Sequence, residues 1–154
     1  MKTIANGVRI LLVDDLPLNQ ELACAILRRA GHSVDTASNG IEAVAAAEAN
    51  PYDVILMDIR MPLMDGVSAA RKIRDLPGPA GQTPIVAMTA DALPEQVRAF
   101  GRAGMDGYVA KPYQQKELLF AASSSLRLGA RSGGGRGAGR LLHLVRSFYP
   151  SRGD

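Results

Sequence analysis

Four times this chain builds a short apolar run and stops it on a polar residue. Ile10-Leu11-Leu12-Val13 ends at Asp14-Asp15, Val54-Ile55-Leu56-Met57 at Asp58, Ile85-Val86-Ala87-Met88 at Thr89, and Tyr108-Val109-Ala110 at Lys111-Pro112. Runs this short and apolar throughout read as strands covered on both faces, which is the condition of a parallel sheet. Parallel strands need long crossovers, and helix-patterned segments lie between the runs. Ser33-Val34-Asp35-Thr36-Ala37 alternates instead, so it reads as an edge strand with one wetter face. Five β–α repeats imply an α/β fold: a doubly wound five-stranded parallel sheet, helices on both faces, with right-handed crossovers. The flavodoxin-like order 2-1-3-4-5 puts the alternating strand at an edge and the first and third strands side by side.

Local signals set the helices. Pro17 suits a first helical turn, and Leu18, Leu22, Ala25 and Ile26 form an apolar stripe expected to face the core, with Gly31 as a left-handed stop. Residues 40–49 read as an alanine-rich helix with Ile41, Val44 and Ala45 inward, ended by Asn50-Pro51. A loop over residues 59–66 precedes a helix through Val67, Ala70 and Ile73, and residues 77–81 read as loop. A helix from about Pro94 to Phe100 and a last one over residues 114–126 complete the pattern.

A chain of 154 residues is expected to hold one domain, burying about 70% of its unfolded surface without needing staples. The lone Cys24 excludes an internal disulfide framework and reads as a small packing residue. No apolar run approaches a membrane span and no signal-like segment follows Met1, so a cytoplasmic location is expected. The net charge of +3 hides a division: residues 1–126 carry 12 basic and 14 acidic side chains, whereas residues 127–154 carry six arginines and one aspartate. The basic character belongs to the tail, which weakens an argument for nucleic acid from overall charge. The expected boundary is a domain over residues 1–128 and a Gly/Arg-rich tail over 129–154 with no output domain. Within that tail Leu141-Leu142-His143-Leu144-Val145 is apolar; docking on the domain, docking on a partner, and an unstructured tail all stay open.

Side chains closing neighbouring parallel strands emerge at one sheet edge, where open α/β folds hold their sites. Asp14, Asp15, Asp58, Thr89 and Lys111 therefore converge. Two ionised carboxylates at ~5 Å repel by on the order of 3 kcal/mol at an effective dielectric near 20, so the cluster calls for a cation. Mg²⁺ suits hard oxygen donors and keeps waters that a phosphoryl oxygen can replace. Lys111 adds a compact positive donor and Thr89 a hydroxyl.

The stretch Leu56-Met57-Asp58-Ile59-Arg60-Met61-Pro62-Leu63-Met64-Asp65-Gly66, with Asp14-Asp15, Thr89-Ala90 and Lys111-Pro112 in order, resembles the response regulator receiver domain of two-component signalling. Asn19 and the Met-Pro-Leu-Met-Asp-Gly wording resemble receivers attached to hybrid histidine kinases. The resemblance covers about residues 8–128. It implies that Asp58 takes a phosphoryl group from a phosphohistidine, with Mg²⁺ held by Asp15, Asp58 and the backbone carbonyl of Arg60 and by Asp14 through a water. Lys111 would hold a phosphoryl oxygen across a cis Lys111–Pro112 bond, and Thr89 would swing toward the phosphate while the ring of Tyr108 moves inward. It further implies a phosphorelay switch rather than a metabolic enzyme, with only intrinsic self-phosphorylation and self-dephosphorylation. The implied partners are a histidine kinase or histidine phosphotransfer protein and a downstream protein, with a monomer or weak phosphorylation-dependent dimer.

Arg60 and Asp91 each lie two residues past a site residue, so their side chains are expected to pair over the phosphorylated site. A haloacid-dehalogenase-type phosphatase also uses Asp, Mg²⁺ and Lys, but it expects a second Asp where Arg60 stands. A receiver fragment of a hybrid kinase is the other alternative. The Gly133–Ala138 match to G-x-G-x-x-A lacks a preceding strand, and His32 and His143 lack ligand spacing. A helix-turn-helix output has no room after Leu128 in this sequence.

Overall fold

The computed structural model describes residues 7–123. Five strands, β1 (Arg9–Val13), β2 (Ser33–Ala37), β3 (Val54–Asp58), β4 (Ile85–Thr89) and β5 (Gly107–Ala110), form one parallel sheet in the order β2-β1-β3-β4-β5. Between and after them run α1 (Pro17–Arg29), α2 (Gly40–Ala49), α3 (Gly66–Arg74), α4 (Pro94–Arg102) and α5 (Gln115–Ala122). The expected fold class is the observed one. β2 is the edge strand that its half-polar sequence announced, with only Val34 and Ala37 buried.

Strand periodicity divides the core in two. Leu11, Val13, Ile55, Met57, Ile85 and Ala87 face one layer with Ala43, Ala69, Ile73, Val97 and Phe100 of α2, α3 and α4. Ile10, Leu12, Val54, Leu56, Val86, Met88 and Val109 face the other with Cys24, Leu27, Leu118 and Ala121 of α1 and α5. The alternation of odd and even positions is the two-residue repeat of a strand, here with both faces dry.

Local chemistry stops and starts the helices, with Gly31 the stop expected from the sequence. Gly31 has φ 100°, and the side chain of Asn39 accepts Glu42 N–H at the start of α2. Asp65 caps α3 by accepting Ser68 N–H at 2.8 Å, an arrangement typically worth about 1 kcal/mol. Residues 78–82 form a 3₁₀ turn rather than open loop, closed where Thr83 N–H donates to the Ala80 carbonyl.

The helix faces require two corrections. On α1 the buried residues are Ala23, Cys24 and Leu27, while Leu18, Leu22 and Ala25 are exposed and Ile26 only half-buried. On α2 the buried side chains are Ala43 and Ala47, with Ile41 and Ala45 outward and Val44 partly covered. Size explains the second case. α2 packs closely on α3, and at its start a Cβ on Gly40 would come within 2.5 Å of the Met64 carbonyl, so small residues take the inner face. The last helix is described only to Ala122; its expected extension to residue 126, and the tail from 129, lie outside the described residues.

Candidate phosphoacceptor and metal site

Sheet register assembles the site. Val13 pairs with Met57, so Asp14 and Asp58 leave adjacent strands side by side. Thr89 pairs with Ala110, which places Lys111 one residue beyond the same edge. Asp14 and Asp58 keep the parity of the layer under α1 and α5, whereas Thr89 keeps that of the opposite layer.

The Lys111 ammonium reaches back to both acids. Its Nζ lies 3.1 Å from Asp58 Oδ1 and 3.6 Å from Asp14 Oδ2. The Lys111–Pro112 peptide is cis, as the resemblance implied. Asp14 and Asp58 are buried and Asp15 is half-buried, and one oxygen from each of the three carboxylates lies within 4.8 Å of the others. Burial pushes the Asp58 carboxyl above its usual range; Lys111 pulls it back, and the Asp14 and Asp15 charges add to the rise. Burial alone would lower Lys111, but the negative charges of Asp58 and Asp14 outweigh it and hold the ammonium above its ordinary value. Burial therefore governs the Asp58 shift, and the facing acids govern that of Lys111.

The backbone around the acids is fixed. Leu16 N–H donates to Asp14 Oδ1 at 3.0 Å, and Gln20 Nε2 donates to the carbonyls of Asp14 at 2.6 Å and Ala37 at 3.1 Å. Gln20 was not singled out from the sequence; a polar residue one turn into a helix carries no signal of that contact. Gly66 sits so close that an added Cβ would lie 2.2 Å from the Asp58 carbonyl oxygen, and its N–H donates to the Ile59 carbonyl at 2.9 Å. A side chain there would push the loop away from Asp58.

Thr89 is buried, and its hydroxyl is engaged in its own loop. Oγ1 accepts Asp91 N–H at 2.9 Å and donates to the Asp91 carbonyl at 3.1 Å. Tyr108 is also buried, its ring centroid 6.5 Å from that of Phe100. Arg60 is exposed at the mouth, where its Nη2 lies 3.6 Å from Asp91 Oδ2, the pairing expected from their spacing.

The large hydrophobics exposed among the described residues are Leu16, Leu18, Leu22, Ile41, Leu63 and Leu93. Leu16, Ile41, Leu63 and Leu93 lie in loops or first helical turns that follow strands, Leu18 opens α1 and Leu22 lies in its second turn. Of the sequence stripe on α1, Leu18 and Leu22 are exposed, while Ile26 packs at the margin of the core. Beside it a cleft of about 540 Å³ is lined by Asp14, Asn19, Leu22, Ile26, Lys111 and Tyr113, among others.

Three clustered carboxylates, two of them buried and bonded to a lysine, at the carboxyl edge of this sheet define a phosphoacceptor module. The chain belongs to the response regulator receiver domain family, whose sequence model matches residues 10–123. It is 45% identical over 115 residues to the two-component response regulator ORR41 of Oryza sativa subsp. japonica, covering 72% of this chain and 88% of that protein. It is 41% identical over 112 residues to the signal transduction histidine-protein kinase BarA of Escherichia coli strain K12, covering 73% of this chain but only 12% of the kinase. Among solved structures, the receiver domain of the sensor histidine kinase PA1611 of Pseudomonas aeruginosa PAO1 has TM-score 0.71 and 43% identity. That match covers 79% of this chain and 98% of the other, whose structure has a magnesium ion coordinated in its active-site cleft. The chemotaxis protein CheY4 of Vibrio cholerae has TM-score 0.70 and 30% identity, covering 79% of this chain and 97% of that one. The chain is accordingly a receiver of two-component phosphorelay signalling.

Proposed function

We propose that Asp58 is the phosphoacceptor of this receiver and that residues 1–128 are its functional unit, with 129–154 an appendage rather than an output domain. The observation that carries the reading is the Lys111 ammonium shared between Asp58 and Asp14, with Asp15 close by. An Asp58 oxygen attacks phosphorus, the P–N bond to the donor imidazole breaks, and its electron pair returns to the ring. Lys111 then moves its hydrogen bond from the carboxylate to a phosphoryl oxygen. In the separate hydrolysis, water attacks phosphorus, the acyl P–O bond breaks, a proton passes to solvent, and the Asp58 carboxylate is regenerated with inorganic phosphate. Self-phosphorylation from small donors and self-dephosphorylation are the extent of the catalysis.

The clustered carboxylate oxygens, in excess over one lysine, fit a hard divalent ion. Asp15, Asp58 and the Arg60 carbonyl would hold Mg²⁺ directly, and Asp14 through a water. Bound there, the ion supplies charge neutralisation for the transferring phosphoryl group.

Thr89 is the switch residue: its hydroxyl must leave Asp91 to bond a phosphoryl oxygen, and that exchange changes the β4–α4 loop. Tyr108 packs on Phe100 beneath that loop and transmits the change to the α4–β5–α5 face. Arg60 and Asp91 close over the acyl phosphate and hinder water. The exposed apolar side chains suit a histidine kinase or phosphotransfer protein whose phosphohistidine is set among apolar side chains. A cytoplasmic setting fits such a donor, and among the described residues no helix is long and apolar enough to cross a membrane.

Incubation with Mg²⁺ and acetyl phosphate, read by intact mass, tests the assignment. One hydroxylamine-labile phosphoryl addition is expected, absent in Asp58→Ala. A folded, magnesium-loaded protein that no phosphohistidine donor modifies overturns it. A receiver borne within a longer hybrid kinase is the second reading, favoured by relatives such as BarA.

A further inference from the structure

The turn between β2 and α2 holds both segments that carry the acidic site. The last ladder pairs at this corner of the sheet are Val13 with Ala37 and Val13 with Met57. Asp15 and residues 59–65 lie past them, so pairing among β2, β1 and β3 does not set their separation.

The turn reaches both. On one side Asp14 N–H donates to the Ala37 carbonyl at 3.1 Å. Gln20 Nε2 adds bonds to the Asp14 carbonyl at 2.6 Å, the Ala37 carbonyl at 3.1 Å and Ser38 Oγ at 3.3 Å. On the other side Gly40 N–H donates to the Met64 carbonyl at 3.0 Å. The stretch between is tied to itself. Asn39 is buried and accepts Glu42 N–H at 2.9 Å, while the Glu42 carboxylate accepts Ser38 N–H at 2.8 Å.

Gly40 is a glycine for closeness. Its backbone does not call for one, because the positive-φ glycines among the described residues are Gly31, Gly78 and Gly104. α2 does not call for one either, since alanine is the better helix former. The loop after β3 excludes a side chain: an added Cβ would lie 2.5 Å from the Met64 carbonyl oxygen and 2.8 Å from Met64 Cβ. That loop is strained next to the contact. Leu63 has φ 69°, a left-handed backbone unfavourable for a bulky side chain. Such a conformation persists only where surrounding bonds hold it, and the Gly40 N–H is one from outside the loop.

We propose that the β2–α2 turn is a strut that sets the spacing of the magnesium site, with Gln20 and Gly40 as its positioning residues. Gln20 fixes the Asp14-Asp15 segment to the turn, and Gly40 fixes the loop that carries Arg60. Neither side chain touches the ion or the phosphoryl group. The inference rests on the reading above that Asp15, Asp58 and the Arg60 carbonyl hold Mg²⁺.

The test titrates the full chain with Mg²⁺ and follows the amide signals of Asp15 and Arg60, at a temperature where each variant is fully folded in chelator. Gly40→Ala should weaken Mg²⁺ binding roughly tenfold, the loss typical when a group supporting metal ligands is disturbed. Gln20→Leu should weaken it in the same direction. The double variant should bind no more than about twofold more weakly than Gly40→Ala, because both act through one turn. Wild-type affinity in Gly40→Ala, or losses that multiply in the double variant, overturns the strut. A bond that shapes the ion site is in turn tightened by the ion. In the wild type, saturating Mg²⁺ should therefore slow hydrogen exchange of the Gly40 amide about threefold more than that of Asn50, which bonds the Ala46 carbonyl at the far end of α2. Equal slowing of the two overturns the strut even where Gly40→Ala does not fold. Wild-type amides that ignore Mg²⁺ altogether overturn the magnesium reading and the strut with it, a result distinct from an ion that binds wild type and Gly40→Ala alike.

Discussion

Arg60 Nη2 and Asp91 Oδ2 face each other at 3.6 Å, joining the loop after β3 to the loop after β4 across the mouth above Asp58. The contact matters less for its strength than for where it is attached. Asp91 is the residue whose backbone holds the Thr89 hydroxyl, so the pair on the outside and the switch residue on the inside share one loop.

The pair is exposed on the arginine side, at 81%, and such ion pairs contribute under about 1 kcal/mol. Arg60→Ala and Asp91→Ala should therefore each speed loss of the phosphoryl group by no more than about fivefold. The double variant should lose it no faster than the quicker single variant. Additive effects in a double-mutant cycle would show that the two side chains do not act together.

Asp58→Asn should abolish phosphorylation yet stabilise the protein near neutral pH. Folding raises the Asp58 carboxyl, so the folded state holds its proton where the unfolded chain has released it. The carboxyl contributes no penalty below its unfolded value near 3.8; stability falls as pH rises from there through the folded value, then stays lower. Melting curves of wild type and Asp58→Asn should thus converge toward pH 3.5 and separate, with the variant higher, by pH 7. A variant that melts lower at pH 7 would mean the Lys111 bond outweighs burial and repulsion.

Magnesium should offset that same penalty. At 100 times its dissociation constant, an ion binding only the folded state adds about 2.7 kcal/mol. Wild-type melting should rise with Mg²⁺, the rise should shrink sharply in Asp58→Asn, and chelator alone should leave the fold intact. An equal rise in both proteins would place the ion elsewhere.

The strands and their terminal acids were legible because a sheet buried on both faces leaves an unbroken apolar run, and the register of parallel strands follows. Asp14, Asp15 and Asp58 do cluster, and Lys111 reaches two of them, while the Thr89 hydroxyl is engaged in its own loop. The helix faces were not legible. Leu18 and Leu22 on α1 and Ile41 on α2 have core-like chemistry, yet they are exposed, and periodicity records that a face is apolar without recording what covers it. Ala43 and Ala47 are buried because two backbones approach closely, a constraint set by residues distant in sequence. Gln20 was invisible for a similar reason: its worth lies in reaching the carbonyls of Asp14 and Ala37 from two different strand ends.

His32 gives the fold a second pH dependence, opposite in sign to that of Asp58. Its Nδ1 accepts Val8 N–H at 3.1 Å at the start of β1, which requires that nitrogen to be unprotonated. Burial holds the imidazole below its usual 6.5, so the unfolded chain takes up a proton first as pH falls. The contribution is fully present above about pH 6.5 and is lost progressively below it, down to the folded value. His32→Asn, which can still accept from Val8 but does not titrate in this range, should flatten the decline in melting temperature between pH 7 and pH 5 relative to wild type. Because Asp58 works in the opposite direction at lower pH, the comparison is best made in the Asp58→Asn background, where only the imidazole term remains of the two. An unchanged slope there would show that His32 does not link this strand to proton binding.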